Sequence, residues 1–577
     1  MTSQFKTRFP RFDLGSSKRS NLVLFLLLFL IFIQTFLGSR LFSAAMDEQA
    51  HLPAGFAHLQ SKEIEFRKSN APFIGMLAAL PSFLFSKPGI DLKDSTVVDN
   101  DFWNFGNKFL FSNDTDGLLL SGRLVIIFLT LLLGLYVFRW ASDLFGEKAG
   151  LFSLFLFAFI PTVIGHAQLI STDVGLAVFF FISTYYFWKS LKEEKLEHKI
   201  LSGLFLGLAL ASKFSGALLV PLFILLAFVK VRSSQDPIED KGSTSSQKVR
   251  PWISKKVGPW FRSSYKPWSI ILPVFIIGFI VLWAVYLFPS NLSFYTDGLR
   301  LTYAEDANPN YPVYLNGDFK EGGWWHYFLE GFIIKTPLPF LIFLGWALLL
   351  FKKYRASFLD KTFLLAPVVF FFIFTSWGAH NLGVRYLIPA YPFLAVYAGG
   401  IITRIGKKGG LFLTTRSLTT RSNLGSSKRF DLVVLISLSV WYIFSAVTAH
   451  PNQLAYFNEL VGGSDNGYKY MDDSNIEWGQ DLKRLKKFTD DNPQAKVVYI
   501  WRQGDRALDY YGIGKEKNII DLKENWWVNP KGVYAVSSHF LVRAKLLSRT
   551  MNDPTLDWLS LYQPASRIGQ SFFIYEF

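Results

Sequence analysis

The sequence predicts an α-helical polytopic membrane protein of about eleven transmembrane helices with a small C-terminal extracytoplasmic α/β domain. Three observations predict it. Apolar runs of roughly 20 residues recur along most of the chain, enough for a helix to cross a hydrocarbon core of about 30 Å. Half of the 577 residues are hydrophobic, with 59 Phe, 24 Tyr and 17 Trp, and only 18% are charged, which is too little polar surface for a soluble protein of this length. The basic residues behind the net charge of +16 cluster in the short segments between apolar runs. That is the positive-inside pattern of a membrane protein, whereas nucleic-acid binding would gather the basic residues on one folded face. With no cysteine, disulfides, thiolate metal sites and cysteine nucleophiles are excluded.

The elements follow in order. Residues 1–20 form a basic N-terminus, with Lys6, Arg8, Arg11, Lys18 and Arg19 against Asp13. The run Asn21 to Ser43 exceeds a signal-peptide core and no small-residue cleavage site follows it, so a retained span with a cytoplasmic N-terminus is expected. Residues 44–117 are too polar to span and form a large outer loop, with an interfacial helix expected over Ala71 to Phe85. Spans follow at Leu118 to Phe138, Gly150 to Gly165 and Val174 to Trp188. The run Ile200 to Val229 would extend about 45 Å as one helix, longer than the core, and carries Lys213 near its middle, so two spans turning at Lys213 are expected. Further spans are Ile270 to Phe288, Thr336 to Phe351, Phe363 to Trp377, Tyr386 to Ile402 and Leu432 to Val447, with a second large outer loop over 289–335.

Each crossing must alternate, and on this count the basic segments 1–20, 189–199, 230–268, 352–361 and 403–430 all fall inside. The membrane domain is thus 21–448. The remainder, 449–577, lies outside and mixes short apolar runs such as Gly532 to Ser537 and Ser571 to Phe577 with helical stretches near 479–490 and 539–549, the pattern of a small α/β domain. A basic Gly/Ser-rich linker occurs twice, at Arg11 to Leu22 and Arg421 to Leu432, as an orientation anchor.

Asp47, Glu48, Asp173, Lys213, Lys335 and Arg385 all fall at outer span ends in this topology. Taken singly, each reads as an interfacial charge reaching to water. Taken together, carboxylates beside cations at an outer membrane surface suit transfer of a group from a lipid phosphate to an acceptor hydroxyl. The leaving phosphate needs only cations, and the acceptor needs one base. Glu48, adjacent in sequence, is expected to raise the pKa of Asp47. His51, three residues after Glu48, is as readily structural as catalytic.

Several ordered motifs also resemble one family: Asp47-Glu48-Gln-Ala-His51, Phe105 to Phe111 before Arg123, Ser171-Thr-Asp173, Leu210-Ala-Ser-Lys213-Phe, Gly323 to Tyr327, Ile334-Lys335-Thr-Pro-Leu-Pro339 and Asn381 to Pro389. The chain resembles the GT-C type membrane glycosyltransferases, in particular the protein O-mannosyltransferase and lipid A aminoarabinose transferase group. The resemblance implies an inverting transfer of a single sugar from a polyprenyl-phosphate donor to a protein, lipid A or glycan acceptor at the outer face of a bacterial inner membrane. It implies Asp47 as base with Glu48 beside it, Asp173 and His51 on the acceptor side, and Lys213, Arg385, Arg123 and Lys335 as cations for the donor phosphate. Relatives carry a histidine or lysine before the first-loop proline, whereas this chain reads Arg67-Lys68-Ser-Asn-Ala-Pro72, which leaves Lys68 as the expected first-loop cation.

In the C-terminal part, Asp473, Asn475, Glu477, Trp478 and Gln480 suit sugar binding, with the indole stacking on a pyranose. Asp473 or Ser474 equally reads as a helix cap with Trp478 in a core. No cofactor is expected to be required. A divalent cation between Asp47 and Asp173 is the disfavoured alternative to cationic side chains. Two other functions share the architecture: a lipid-linked glycan ligase or polymerase, and a lipid-linked sugar transporter, for which no inverted repeat is present. A reporter active only in the cytoplasm is expected to work when fused after residue 240 or 415 and to fail after 310 or 577; activity at 577 would overturn the span count.

Overall fold

A computed structural model describes residues 17–233, 267–306, 312–354, 356–378, 380–405, 421–499, 504–518 and 530–577. Most of the basic segments expected at 1–20, 230–268 and 403–430, and the first half of the N-terminal linker repeat, lie outside the described residues. Among the described residues, eight helices are long and apolar enough to cross a membrane, and two bent pairs bring the number to ten. The chain is an integral membrane protein.

The eight are Lys18–Leu41, Thr115–Phe145, Thr172–Glu193, Phe214–Val231, Trp268–Val285, Phe358–Gly378, Val384–Arg404 and Arg429–Thr448. Leu196–Ser212, over the expected span that begins at Ile200, is a helix of 17 residues and is not among these ten. It ends on Lys213 in extended backbone, so the long apolar run does turn there. The expected span Gly150 to Gly165 is bent, and the expected span from Thr336 is joined at a bend to a helix, Tyr327–Lys335, that lies in the expected outer loop. Glu147–Ala158 meets Pro161–Ala167 at 66°, and Tyr327–Lys335 meets Leu338–Leu349 at 112°. Proline explains both, because it lacks the N–H needed to continue a helix and forces the preceding residue toward extended backbone, as at Ile160 and Thr336.

The core is aromatic. Thr172–Glu193 runs through its middle, 94% buried over its apolar window. Trp140, Phe181, Tyr185, Trp188 and Phe393 contact one another around it in tilted and edge-on geometries. This helix carries Asp173 in its first turn and Lys192 in its last.

The first large loop is a packed helical layer: Met46–Ser61, Phe73–Phe85 and Phe102–Phe111 share one apolar cluster. Glycine sets how closely they approach. Pro53 frees the Gln49 carbonyl from helical hydrogen bonding, and Gly106 packs on that carbonyl so tightly that a Cβ would lie 1.8 Å from it. A Cβ on Gly55 would lie 2.1 Å from the Gly75 carbonyl.

In the second large loop, β1 (Pro312–Leu315) and β2 (Asp318–Glu321) form a hairpin across Asn316-Gly317, both at positive φ as a two-residue turn requires. The C-terminal sheet has the order β3 (Lys496–Val498), β4 (Val533–Ser537), β6 (Phe572–Glu576), β5 (Ser566–Ile568), parallel between β3 and β4 and otherwise antiparallel. Val498, Tyr534, Val536, Phe573 and Tyr575 face one apolar cluster with Trp558. Val497, Ala535, Phe572 and Ile574 face another that includes Phe42, Ala45 and Leu169 from the membrane part. The sheet is thereby seated directly on the end of the helical bundle.

Gly106→Ala is expected to cost about 1–3 kcal/mol by overpacking against a backbone that cannot retreat. It would be read as a lower thermal midpoint of the detergent-solubilised protein, with Gly146→Ala, where an added Cβ meets nothing within 4 Å, separating contact from backbone strain.

Candidate active site

The helix Met46–Ser61 starts where two buried charges meet. Glu48 sits in its first turn, and its Oε2 accepts from the Ala45 backbone N–H at 2.8 Å, the return bond of a capping box. Arg123, from Thr115–Phe145, donates Nε to Glu48 Oε1 at 2.8 Å and Nη2 to Oε2 at 2.6 Å. Its other guanidinium hydrogens go to the carbonyls of Ser39, Phe42 and Ser43, and Oε1 also accepts from Ile170 N. All five donors of Arg123 are used. Both side chains are 2% exposed or less, so each neutralises the other's burial. Removing one partner of such a pair costs about 3–5 kcal/mol.

Asp47 faces the other way. Its Oδ2 accepts from Arg385 Nη1 at 2.5 Å, and the side chain keeps 23% exposure. His51 Nε2 lies 3.8 Å from the same oxygen. On its far side, His51 Nδ1 is 2.9 Å from Arg67 Nη1. A guanidinium can only donate, so Nδ1 is the acceptor and the imidazole proton sits on Nε2, toward Asp47. Burial, then the Arg67 charge, push the His51 imidazole down to about 4, so it is neutral at physiological pH. Burial alone would lift the Asp47 carboxyl, but Arg385, helped by His51, outweighs it and holds the group well below the ordinary carboxylate range. The expected upward shift from Glu48 is absent because Glu48 is tied to Arg123.

Arg385 is held between aromatic rings. Its Cζ lies 4.3 Å from the centre of Trp478 and 5.5 Å from that of Tyr386. Tyr386 also carries Lys213 Nζ at 4.2 Å. Lys213 donates to Asp173 Oδ1 at 2.6 Å, so two ion pairs, Arg385 to Asp47 and Lys213 to Asp173, share one tyrosine ring. Four charges from distant spans converge here.

The remaining expected residues are placed as follows. Lys335 is buried, donates to the carbonyls of Leu454 and Asn475, and lies over Phe457. Lys68 is 42% exposed and pairs with Glu65; it is its neighbour Arg67 that joins the Asp47 cluster through His51. Asn475 bonds Tyr327, the Asp472 carbonyl and Val384 N. Gln480 bonds Trp478 N, Ile476 O and Ser571. Glu477 accepts from Ser538 and His539 N. Trp478 belongs to the cluster under the sheet, and Arg385 occupies one face of its indole. Asp473, at φ +61, accepts from Ser474 N, and burial raises its carboxyl. These polar groups dock the segment before the sheet onto the bundle.

Residues that sequence reasoning passed over also belong here: Arg67, Tyr386, and His166, whose ring meets Trp478 edge-on at 5.9 Å. Tyr386 and Arg67 were signalled by adjacency to Arg385 and Lys68. His166, among apolar neighbours, gave no signal.

Residues 113–239 match the family model described as dolichyl-phosphate-mannose-protein mannosyltransferase. The matched stretch, well under half of the chain, contains Arg123, His166, Asp173 and Lys213. Among solved structures, the chain is similar to ArnT from Cupriavidus metallidurans bound to undecaprenyl phosphate, at 13% identity over 97% of this chain and 98% of that one with a TM-score of 0.45. It is also similar to the apo form of the Archaeoglobus fulgidus oligosaccharyltransferase, at 12% identity over 93% of this chain and 72% of that one with a TM-score of 0.47. A comparison with curated protein sequences finds no match. The family-model match and the polytopic helical fold agree with the resemblance of the motifs to GT-C type membrane glycosyltransferases.

Because the Asp47 carboxyl titrates below its unfolded value, its pair with Arg385 contributes stability at every pH above that unfolded value and loses it only as pH falls through the depressed one. Asp47 should therefore cost the wild-type protein no thermal stability between about pH 7 and about pH 5. Arg385→Ala leaves a carboxyl that burial raises, so it should be less stable at about pH 7 than at about pH 5. Identical pH profiles of thermal unfolding for the two proteins would overturn the pairing.

Proposed function

We propose that the protein is an inverting glycosyltransferase that moves a single sugar from a polyprenyl-phosphate donor to an acceptor hydroxyl at the outer face of the membrane. The observation that carries this reading is the pairing of Asp47 with Arg385 beside Lys213 and Asp173. Each carboxylate is paired with a cation, and both cations lie against Tyr386, which supports a reading in which Asp47 is the base and the cations receive the phosphate. The family-model match, whose description names a dolichyl-phosphate-linked sugar, supports the donor class.

In the free protein Arg385 neutralises Asp47. A phosphate entering beside Tyr386 competes for that guanidinium and for Lys213, since both are charge-assisted donors that suit phosphate oxygens. As Arg385 turns to the phosphate, Asp47 recovers basicity when the donor is seated. The acceptor oxygen then attacks the anomeric carbon from the face opposite the phosphate, its proton passes to Asp47, and the bond to the phosphate breaks with its electron pair on the phosphate. The configuration inverts, and the two cations stabilise the leaving charge. His51 turns Nε2–H toward Asp47 from 3.8 Å, and Arg67 fixes that tautomer. Arg123 and Lys335, engaged by Glu48 and by backbone carbonyls, hold the site together and do not bind phosphate.

The reading requires no metal, because Asp47 and Asp173, the pair able to chelate one, are each engaged by a cationic side chain. The acceptor is a protein, lipid A or another surface glycan, and the location is a bacterial inner membrane with the sheet on the periplasmic side. Asp47→Asn keeps the shape and removes the basicity, so turnover should fall by about a hundredfold or more while binding of the lipid phosphate survives. Release of undecaprenyl phosphate from an undecaprenyl-phosphate sugar by the purified protein measures it; near-normal release by Asp47→Asn would move the base elsewhere.

A further inference from the structure

His166 is buried in the second half of the bent pair Glu147–Ala158 and Pro161–Ala167, and the roles described so far leave it unused. Its Nδ1 lies 2.8 Å from the Thr162 carbonyl oxygen one turn back. A carbonyl can only accept, so Nδ1 carries the proton and Nε2 presents a lone pair. Among the described residues that Nε2 has no hydrogen-bond partner. A buried polar atom without a partner is costly, and where one persists next to a cluster of ligand-binding type it marks a place for a ligand group.

The surroundings give its position. The imidazole meets Trp478 edge-on, and the same indole carries Arg385, the partner of Asp47. The Trp478 carbonyl in turn accepts from Met46 N, the residue before Asp47. The charged groups that act on the ring are Asp173, Arg385 and Lys335. His166 therefore borders the site from the side of the Pro161–Ala167 helix.

We infer that His166 Nε2 accepts a hydrogen bond from a hydroxyl or amino group of the sugar carried by the donor, which makes His166 a specificity-determining residue of the site. The inference rests on the transferase reading above. The fixed tautomer decides the chemistry: a lone pair repels the oxygens of a phosphate anion and pairs only with an O–H or N–H. The phosphate end of the donor thus belongs to Arg385 and Lys213, which are donors only, and the sugar end to His166, an acceptor only on this side. A site divided in this way reads a sugared lipid phosphate against the bare one, because the bare lipid leaves Nε2 unpaired.

The test uses the full-length protein in detergent and equilibrium binding of undecaprenyl phosphate, bare or carrying mannose, glucose or 4-amino-4-deoxyarabinose. The wild type should bind at least one sugared lipid more tightly than the bare one. His166→Phe keeps a ring against Trp478 and removes the acceptor, so it should weaken that sugared lipid about tenfold while bare lipid binding is unchanged. His166→Gln, with an amide oxygen in place of Nε2, should retain most of the preference. Should His166→Phe also lose the bare lipid, the comparison is made between His166→Gln and His166→Met, similar in length and differing in the acceptor. A wild type that prefers no sugared lipid, or a preference that survives in both the Phe and Met variants, overturns the inference. A wild type that binds no lipid phosphate, or binds it equally well as Arg385→Ala, overturns the transferase reading instead.

Discussion

The pair of Glu48 and Arg123 is the contact on which the rest of the site depends. It joins the exit of the first span, the start of the helix that carries Asp47, the second span and the segment before Asp173 through one carboxylate and one guanidinium. Burying two charges is justified only when every hydrogen bond is made, and here all are. The direction of Asp47 follows from this, since adjacent residues in the first turn of a helix point about 100° apart. With Glu48 turned inward to Arg123, Asp47 is left facing Arg385.

The site itself is a set of balanced charges with aromatic insulation. Arg385 lies against Trp478 and Tyr386, and Lys213 lies against the same tyrosine. Ring faces hold cations without satisfying their hydrogen-bond donors, so both side chains stay available to an anion while resting in a largely dry environment. The Nε of Arg385 has no partner among the described residues. The cluster is therefore stable when empty and still has donors to offer.

Much of this was legible in the sequence, for physical reasons that differ by residue. Lys213 announced its turn because a charge in the middle of a 30-residue apolar run can avoid hydrocarbon only at a surface. Asp47, Asp173, Lys213 and Arg385 meet because alternating crossings bring their span ends to one side. The bends at Pro161 and Pro337 were written in the prolines and passed over, since hydropathy counts apolar residues and is blind to backbone geometry. The choice of Arg67 over Lys68 was not legible: neighbours in sequence diverge when one takes left-handed backbone, as Arg67 does at φ +54, and only one side chain turns inward. Nor does a sequence show whether an indole face is open or already covered by a guanidinium, which decides the part played by Trp478.

The seating of the sheet on the bundle has a consequence for how the protein is made. Ser43 bonds Gly479 and the Gln480 carbonyl, Met46 bonds the Trp478 carbonyl, and Gln480 is fixed in turn by Ser571, beside the last strand. The helix that carries Asp47, among the first parts of the chain to leave the ribosome, is thus anchored by residues synthesised more than four hundred positions later. During that interval the early spans are in the bilayer while Arg385 and Trp478 do not yet exist, so an inserting chain carries Asp47 without its partner. The cluster around Asp47 therefore forms only after the segment through Gln480 has been made.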